Sequence, residues 1–312
     1  MSTELQDPPP AAPPPGRVPS GDLPRPKRTV ARRSAGFLHR HRTVLLLALL
    51  ALPLLWLVLA YIGSLGSLLL RSVYQRDDLS GELITRPTTD NLRTIFTGEV
   101  YRSAAFRTVG IAVAVTVIDL LVALPIAVFI AKIARPRWRR LLVAAVVTPL
   151  WASYVVKAYA WRALLDPAGG VLKKGIGITP GFGLAGTTLT LAYLWLPYMV
   201  LPIYAGLDRL PDSLLEASSD LGAKAWTTFR SVIVPLIIPA ILAGSIFTFS
   251  LTLGDYIAVQ FVGGTSQTMG LIIYKFFIGS NDLLAAAYAL VPIGIMLLYL
   301  FAVRKSGALE NL

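Results

Sequence analysis

The chain has 312 residues, a net charge of +12 and no cysteine, and 55% of its residues are hydrophobic. That content, with a mean hydropathy of +0.65, excludes an ordinary soluble enzyme and predicts a multi-pass membrane protein. Without Cys there is no disulfide or thiolate chemistry; the only histidines, His39 and His41, flank Arg40 in a basic segment and argue against a metal site, and positive charge beside apolar spans, without interleaved aromatics, argues against nucleic acid.

Residues 1–36 carry Pro8-Pro9-Pro10 and Pro13-Pro14-Pro15, then Arg and Lys. Such a segment buries too little apolar surface to fold and is read as a disordered tail, leaving 37–312 as one transmembrane domain. The apolar run from Val44 is too long for a signal-peptide core, and no small-residue cleavage site follows it. Six spans of about 20 residues or more are predicted: Val44–Leu70, Thr108–Ile133, Leu141–Leu165, Thr187–Leu207, Val232–Leu253 and Leu283–Val303. The third contains Lys157 and Arg162, so its outer end must snorkel or face protein. Pro53, Pro125, Pro149, Pro197, Pro202, Pro235, Pro239 and Pro292 fall inside the spans and predict kinks.

Between spans, 71–107 has apolar residues at roughly helical spacing and is expected to form an ordered interfacial piece. The stretch 166–186 holds seven glycines and is read as a flexible outer loop. It lacks the Gly-Lys-Ser/Thr ending of a phosphate cradle, and no Gly-Lys dipeptide occurs in the chain, so no P-loop ATPase is encoded here. No internal repeat links the two halves, which weakens a carrier built from inverted repeats. With the N-terminus inside, 18 Lys and Arg fall on the cytoplasmic side and 11 on the other. The positive-inside rule then places both termini in the cytoplasm, with Arg135, Arg137, Arg139 and Arg140 the strongest vote.

Asp119, near the middle of the second span, costs about 2.5–3.5 kcal/mol if left facing lipid, so it must point into the bundle. It is either a cation-facing group on a pathway or a partner for a neighbouring polar side chain. Asp255, near the outer end of the fifth span, is a pathway group or a helix-end cap; Lys157 is placed to pair with either acid and, left unpaired, would repel a polycation. Tyr154, Tyr159, Trp161, Tyr198 and Tyr256 sit towards the outer ends of spans. A headgroup belt is the first reading for them and a substrate gate the second.

The polar loop Leu210–Pro235 separates two of the longest apolar runs. Ser213 and Glu216 have capping-box spacing, predicting a helix that starts at Asp212 or Ser213, ends at Gly222 and is followed by a second piece over Lys224–Ser231. Glu216-Ala217-Ser218, Gly222 and Val232-Ile233-Val234-Pro235 resemble the Glu-Ala-Ala loop of permease subunits in binding-protein-dependent ATP-binding-cassette (ABC) importers. Ser218, Val232 and Val234 depart from that family's Ala, Ile and Leu. Further phrases resemble the spermidine/putrescine branch: Thr88-Thr-Asp-Asn-Leu-Arg-Thr-Ile-Phe96, Thr148 to Trp161, Tyr193 to Pro202, Leu253-Gly-Asp-Tyr256 and Gly263-Gly264.

The resemblance implies an all-α, six-helix permease of the type I importer kind, with a cytoplasmic coupling helix in the loop at 208–231. It implies a multi-pass protein of a bacterial inner membrane, itself non-catalytic and without a cofactor. Its partners would be a cytoplasmic ABC ATPase dimer, a second permease and an extracytoplasmic solute-binding protein. By the same resemblance the coupling residues would be Ser213, Glu216, Ala217, Ser218, Gly222 and Pro235. Substrate-pathway candidates are Asp255, Tyr256, Asp119, Tyr154, Lys157, Tyr159 and Trp161, and the cargo would be a polyamine or related small cation moved by alternating access. The alternatives are an ion- or proton-coupled carrier using Asp119 and Asp255 as a relay, or the same permease class serving another solute.

Overall fold

The computed structural model describes residues 42–77, 82–84, 86–279 and 281–305. The tail expected over 1–36 lies outside them. The described residues divide into two units that meet in sequence at Ile62 and Gly63. In the first, helix α1 (Arg42–Leu57) carries Pro53 and runs into a π-helical turn, Val58–Ile62. Its described side chains point outward, among them Leu52 and Trp56, as a lipid-facing helix requires.

The second unit opens with α2 (Gly63–Ser72) and a two-stranded antiparallel ribbon, β1 (Gln75–Arg76) and β2 (Leu83–Ile84), that sets Gln75 opposite Ile84. Helix α3 (Asp90–Thr97) follows, burying Ile95, so the interfacial segment is ordered as its spacing predicted. The long helix α4 (Glu99–Val128) ends in a π turn, Phe129–Ile133. Next come α5 (Pro136–Trp151), α6 (Tyr154–Leu165), α7 (Val171–Ile176) and α8 (Leu184–Asp208). Helices α9 (Asp212–Asp220) and α10 (Ala225–Thr228) form the polar loop; a π turn, Phe229–Ile233, leads into α11 (Val234–Leu253). Helices α12 (Ile257–Val262), α13 (Met269–Ile278) and α14 (Asp282–Lys305) complete it.

Among the described residues, five stretches are long and apolar enough to cross a membrane: Leu49–Ser72, Glu99–Ile133, Leu184–Asp208, Ala225–Leu253 and Asp282–Lys305. The expected third span is not one straight helix. It is the pair α5 and α6, bent by 92°. The chain turns there because Pro149 removes an amide from the last turn of α5, and Ala152 and Ser153 then take extended ψ values of 141° and 132°. The other helix-interior prolines sit in helices that run on without a comparable break. The glycine-rich stretch after 166 also differs from the loop expected for it, because α7 forms within it and Gly177, at φ +77°, closes that helix.

Helices α4, α8 and α11 form the centre of the second unit. At the end nearer the polar loop, Ala123, Ala127, Met199, Ile203, Leu207 and Ile237 make one buried cluster. A middle cluster gathers Ile111, Val115, Leu191, Leu194 and Ala258, and the far end is filled by Ile95, Phe249, Met269 and Tyr288. Small residues let α8 and α11 approach closely. A Cβ on Gly244 would lie 2.7 Å from Met199 Sδ, and one on Gly206 would lie 2.7 Å from the Ala240 methyl. Ala240 and Gly244 are four apart, the small-x-x-x-small pattern of close membrane-helix crossings.

Candidate functional site

Helix α9 starts at Asp212, as expected, but not through the expected capping box. Pro211 holds an extended conformation at the N-cap, φ −61° and ψ 135°, and no side chain caps the helix. Ser213 therefore lies inside the first turn and Glu216 in the second, so the Ser213–Glu216 capping box is not formed. Pro211 keeps the residue before it, Leu210, out of the helical conformation, so the helix can begin only after it. The helix end matches the expected glycine stop. Gly222 has φ +75°, its amide donates to Ser219 O at 2.8 Å, and the Ala223 amide donates to Ser218 O at 3.1 Å. These two bonds make a Schellman closure, which requires the left-handed residue that glycine supplies.

Two cations from the preceding connection fix this loop. Lys132 Nζ donates to Leu210 O at 2.8 Å and to Asp212 Oδ1 at 2.7 Å. The Lys132 ammonium holds the exposed Asp212 carboxyl below the usual carboxylate range. Arg139 pairs with Asp208, and its Nε donates to Tyr204 OH at 3.0 Å. Inside the loop, Ser218 is buried, and its hydroxyl meets the Thr228 hydroxyl at 2.9 Å, tying α9 to α10. The serine that departs from the family's alanine thus has its own partner. Ser213, Glu216, Ala217 and Ser219 are exposed along α9, next to Leu214, Leu221 and Trp226; Leu221 is 89% exposed. Trp226 is held by stacking on Phe229, centroids 5.6 Å apart. An exposed carboxylate among exposed apolar side chains on a rigid short helix is suited to docking a protein partner. Pro235 occupies the first turn of α11, directly after the π turn.

The intramembrane candidates are not gathered into one open site. Tyr154 OH donates to Asp255 Oδ2, and Asp255 Oδ1 accepts the Ala258 amide at 2.9 Å in the first turn of α12. Tyr154 stacks on Trp195 at 5.6 Å, Trp195 meets Tyr198 edge-on at 5.9 Å, and Tyr198 reaches Phe247 at 6.3 Å. Tyr154 and Tyr198 therefore belong to an aromatic row. Tyr256 stacks on Tyr274 at 4.5 Å, Tyr159 contacts Phe261 and Trp161 contacts Tyr193. Asp119 is 1% exposed, and neither of its oxygens has a hydrogen-bond partner; buried Trp195 Nε1 has none either. Of the two alternatives for Lys157, pairing with an acid is not the one seen: its ammonium donates to Pro149 O at 3.1 Å, at the break between α5 and α6. A broken helix leaves carbonyls free, and a nearby ammonium satisfies one.

Sequence reasoning missed Lys132, Arg139, Thr228 and Trp195. Lys132 and Arg139 entered only as topology charges, although Asp208 and Asp212 lie four residues apart just beyond the fourth span. Trp195 carried no charge to mark it. Among the described residues no group of three or more His, Asp or Glu side chains gathers as a metal site would require.

Residues 94–306 match the family model described as "binding-protein-dependent transport system inner membrane component". The chain is 40% identical over 310 residues to the inner membrane ABC transporter permease protein YdcU of Escherichia coli K12, covering 93% of this chain and 98% of that one. It is 28% identical over 235 residues to the spermidine/putrescine transport system permease protein PotB of Haemophilus influenzae, covering 72% and 81%. Among solved structures, it superposes on a chain of a bacterial ABC transporter involved in the import of alginate, with TM-score 0.67 and 17% identity over 88% of this chain and 98% of that one. A chain of the MetNI methionine ABC transporter gives TM-score 0.54 and 18% identity over 67% and 95%. These two likenesses concern the fold. The chain belongs to the family of binding-protein-dependent transport system inner membrane components and is an ABC importer permease subunit, a non-catalytic, multi-pass membrane protein.

Proposed function

We propose that this permease carries a polyamine or a related small cation inward, and that α9 couples it to a cytoplasmic ABC ATPase. The observation that carries the coupling reading is the construction of the loop. It is a nine-residue helix clamped by Lys132 and Arg139 at its entry and closed at Gly222, with Glu216 and Leu214 on it and Leu221 and Trp226 just after it exposed. Pressure on that face reaches α4 through Lys132 and α11 through Ser218, Thr228 and the π turn. Movement of these helices would then alternate the access of a pathway, provided the ATPase states contact the loop differently.

The cation reading rests on relatives named for spermidine and putrescine, and on Asp119 and the Asp255–Tyr154 pair beside an aromatic row. Aromatic faces and carboxylates are the groups that stabilise alkylammonium ions. Asp119 and Asp255 are both closed off within the single chain, so exposure to cargo would require the outward or inward swing. The remaining partners in this reading are a second permease, the ATPase pair and an extracytoplasmic binding protein, with both termini cytoplasmic. Family membership replaces the ion-coupled carrier.

The test is uptake by proteoliposomes holding the full complex. Labelled putrescine or spermidine should enter only with ATP and binding protein, and its failure to enter while another solute does would remove the cation assignment. Orientation is read separately. Cysteines introduced at exposed Ser103 and Thr265 should react with an impermeant reagent from outside and one at Ser219 should not; the reverse pattern would invert the topology.

A further inference from the structure

Next to the clamp described above lies a groove that the transport reading does not use. Pro125, Ile126, Phe129, Leu142 and Val146 line an almost wholly apolar cleft of about 510 Å³ between α4 and α5. Phe129 and Leu142 also line an adjoining cleft of about 370 Å³, whose wall includes Arg135 and Trp138. The two clefts therefore lie side by side and share these walls. From Pro125 to Arg135 the chain advances roughly 15 Å at helical rise, running from the interior of an apolar span to its basic end. Both volumes lie within the roughly 300–1,000 Å³ of ordinary ligand clefts.

The mouth has a distinct charge. Arg139 is committed to Asp208, but Arg135, Arg137 and Arg140 are exposed, and among the described residues none of the three has an ion-pair partner. Trp138, 55% exposed, sits among them. An apolar groove between spans must be filled by hydrocarbon or by another helix, since water there gains nothing. A second helix burying this mouth would have to bring carboxylates to meet three cations. One phosphodiester with acyl chains meets both demands at once: chain in the cleft, phosphate at the guanidinium forks, and the indole at the headgroup level.

We infer that the groove between α4 and α5 binds an anionic phospholipid, with an acyl chain along Phe129 and Leu142 and its headgroup on Arg135 and Arg137. Such basic pockets between membrane helices favour anionic headgroups over zwitterionic ones. Because Lys132 and Arg139 hold the polar loop from the same connection, a lipid seated here buttresses the base of that clamp.

The experiment counts lipid on the purified full complex by native mass spectrometry after titration with phosphatidylglycerol or phosphatidylcholine. Wild type should retain phosphatidylglycerol in preference. Arg135→Gln with Arg137→Gln, both exposed and outside the core, should weaken that retention roughly fivefold per arginine. Leu142→Trp, which fills the cleft and leaves every arginine in place, should also displace the lipid. Equal retention of the two lipids, or phosphatidylglycerol unchanged in both variants, would mean unspecific boundary lipid and overturn the inference. A Leu142→Trp complex that keeps its lipid but sheds a subunit would overturn it as well, by showing that a neighbouring helix fills the groove.

Discussion

Replacing Gly222 with Val perturbs one dihedral and little else, which makes it a clean probe of the loop. The residue sits at φ +75°, and a Cβ added there would meet nothing within 4 Å. The cost is therefore conformational rather than steric: a β-branched side chain in the left-handed region loses about 1–2 kcal/mol. That is a factor of roughly 5–30 in the population of the closed turn. The alternative is to surrender the two closing bonds, Gly222 N to Ser219 O and Ala223 N to Ser218 O, each worth about 0.5–1.5 kcal/mol net. Either way the end of α9 loosens and Leu221 and Trp226 lose their fixed relation. Gly222 lies outside the spans, so insertion and expression should stay near normal. In proteoliposomes with the full complex, uptake should fall sharply and ATP hydrolysis should lose its dependence on loaded binding protein. Gly222→Asn, which tolerates the left-handed region, should remain close to wild type. Wild-type coupling in the Val variant, or an Asn variant as damaged as Val, would refute the reasoning.

Lys132→Met should uncouple more than Asp212→Asn, because it removes a charged hydrogen bond to Leu210 O worth about 1.5–3 kcal/mol, whereas the Asp212 contact is exposed; equal ATPase stimulation in the two variants would contradict this. Since Lys132 lowers the Asp212 pKa, the Asp212 contribution is complete above the unfolded value of ~3.9 and is lost as pH falls through the lower native value. Thermal unfolding should therefore show an Asp212 contribution that does not vary with pH around neutrality, and Asp212→Asn should lower Tm there and lose its effect only at acid pH. Asp119→Leu should leave detergent stability unchanged or raise it, as the carboxylate is buried without a partner; a large loss of Tm would reveal a partner formed in the assembled complex. Tyr154→Phe and Asp255→Asn should impair uptake alike if the pair gates the pathway, and normal uptake in both would end that role.

Much of the architecture was legible because hydrocarbon imposes a length and a composition on every span, so five of six could be drawn from apolar runs alone. The third resisted for a local reason. Pro149, Ala152 and Ser153 turn the chain by 92° inside an apolar stretch, and periodicity does not report a turn whose side chains stay apolar. In the loop, the glycine stop at Gly222 was readable, since few residues can close a helix that way. The capping box was misread because Ser-x-x-Glu spacing says nothing about the residue that fixes the start, and Pro211 fixes it two positions earlier. Lys132 and Arg139 were invisible as clamps: their acids are about 70 to 80 residues away, and only the packing of α4 against α8 brings them together.

The near contact of α8 and α11 constrains how the loop's message can travel. Gly206 faces Ala240, and Gly244 faces Met199, at separations that leave no room for a methyl group. Two helices interlocked at successive turns cannot slide past each other without opening voids on both sides. These are the two helices that enter and leave the loop, one ending at Asp208 and the other beginning at Val234. The short docking helix is thus mounted on a single stiff fork, and a push on it is delivered as rotation of one body instead of being absorbed by flexing between two.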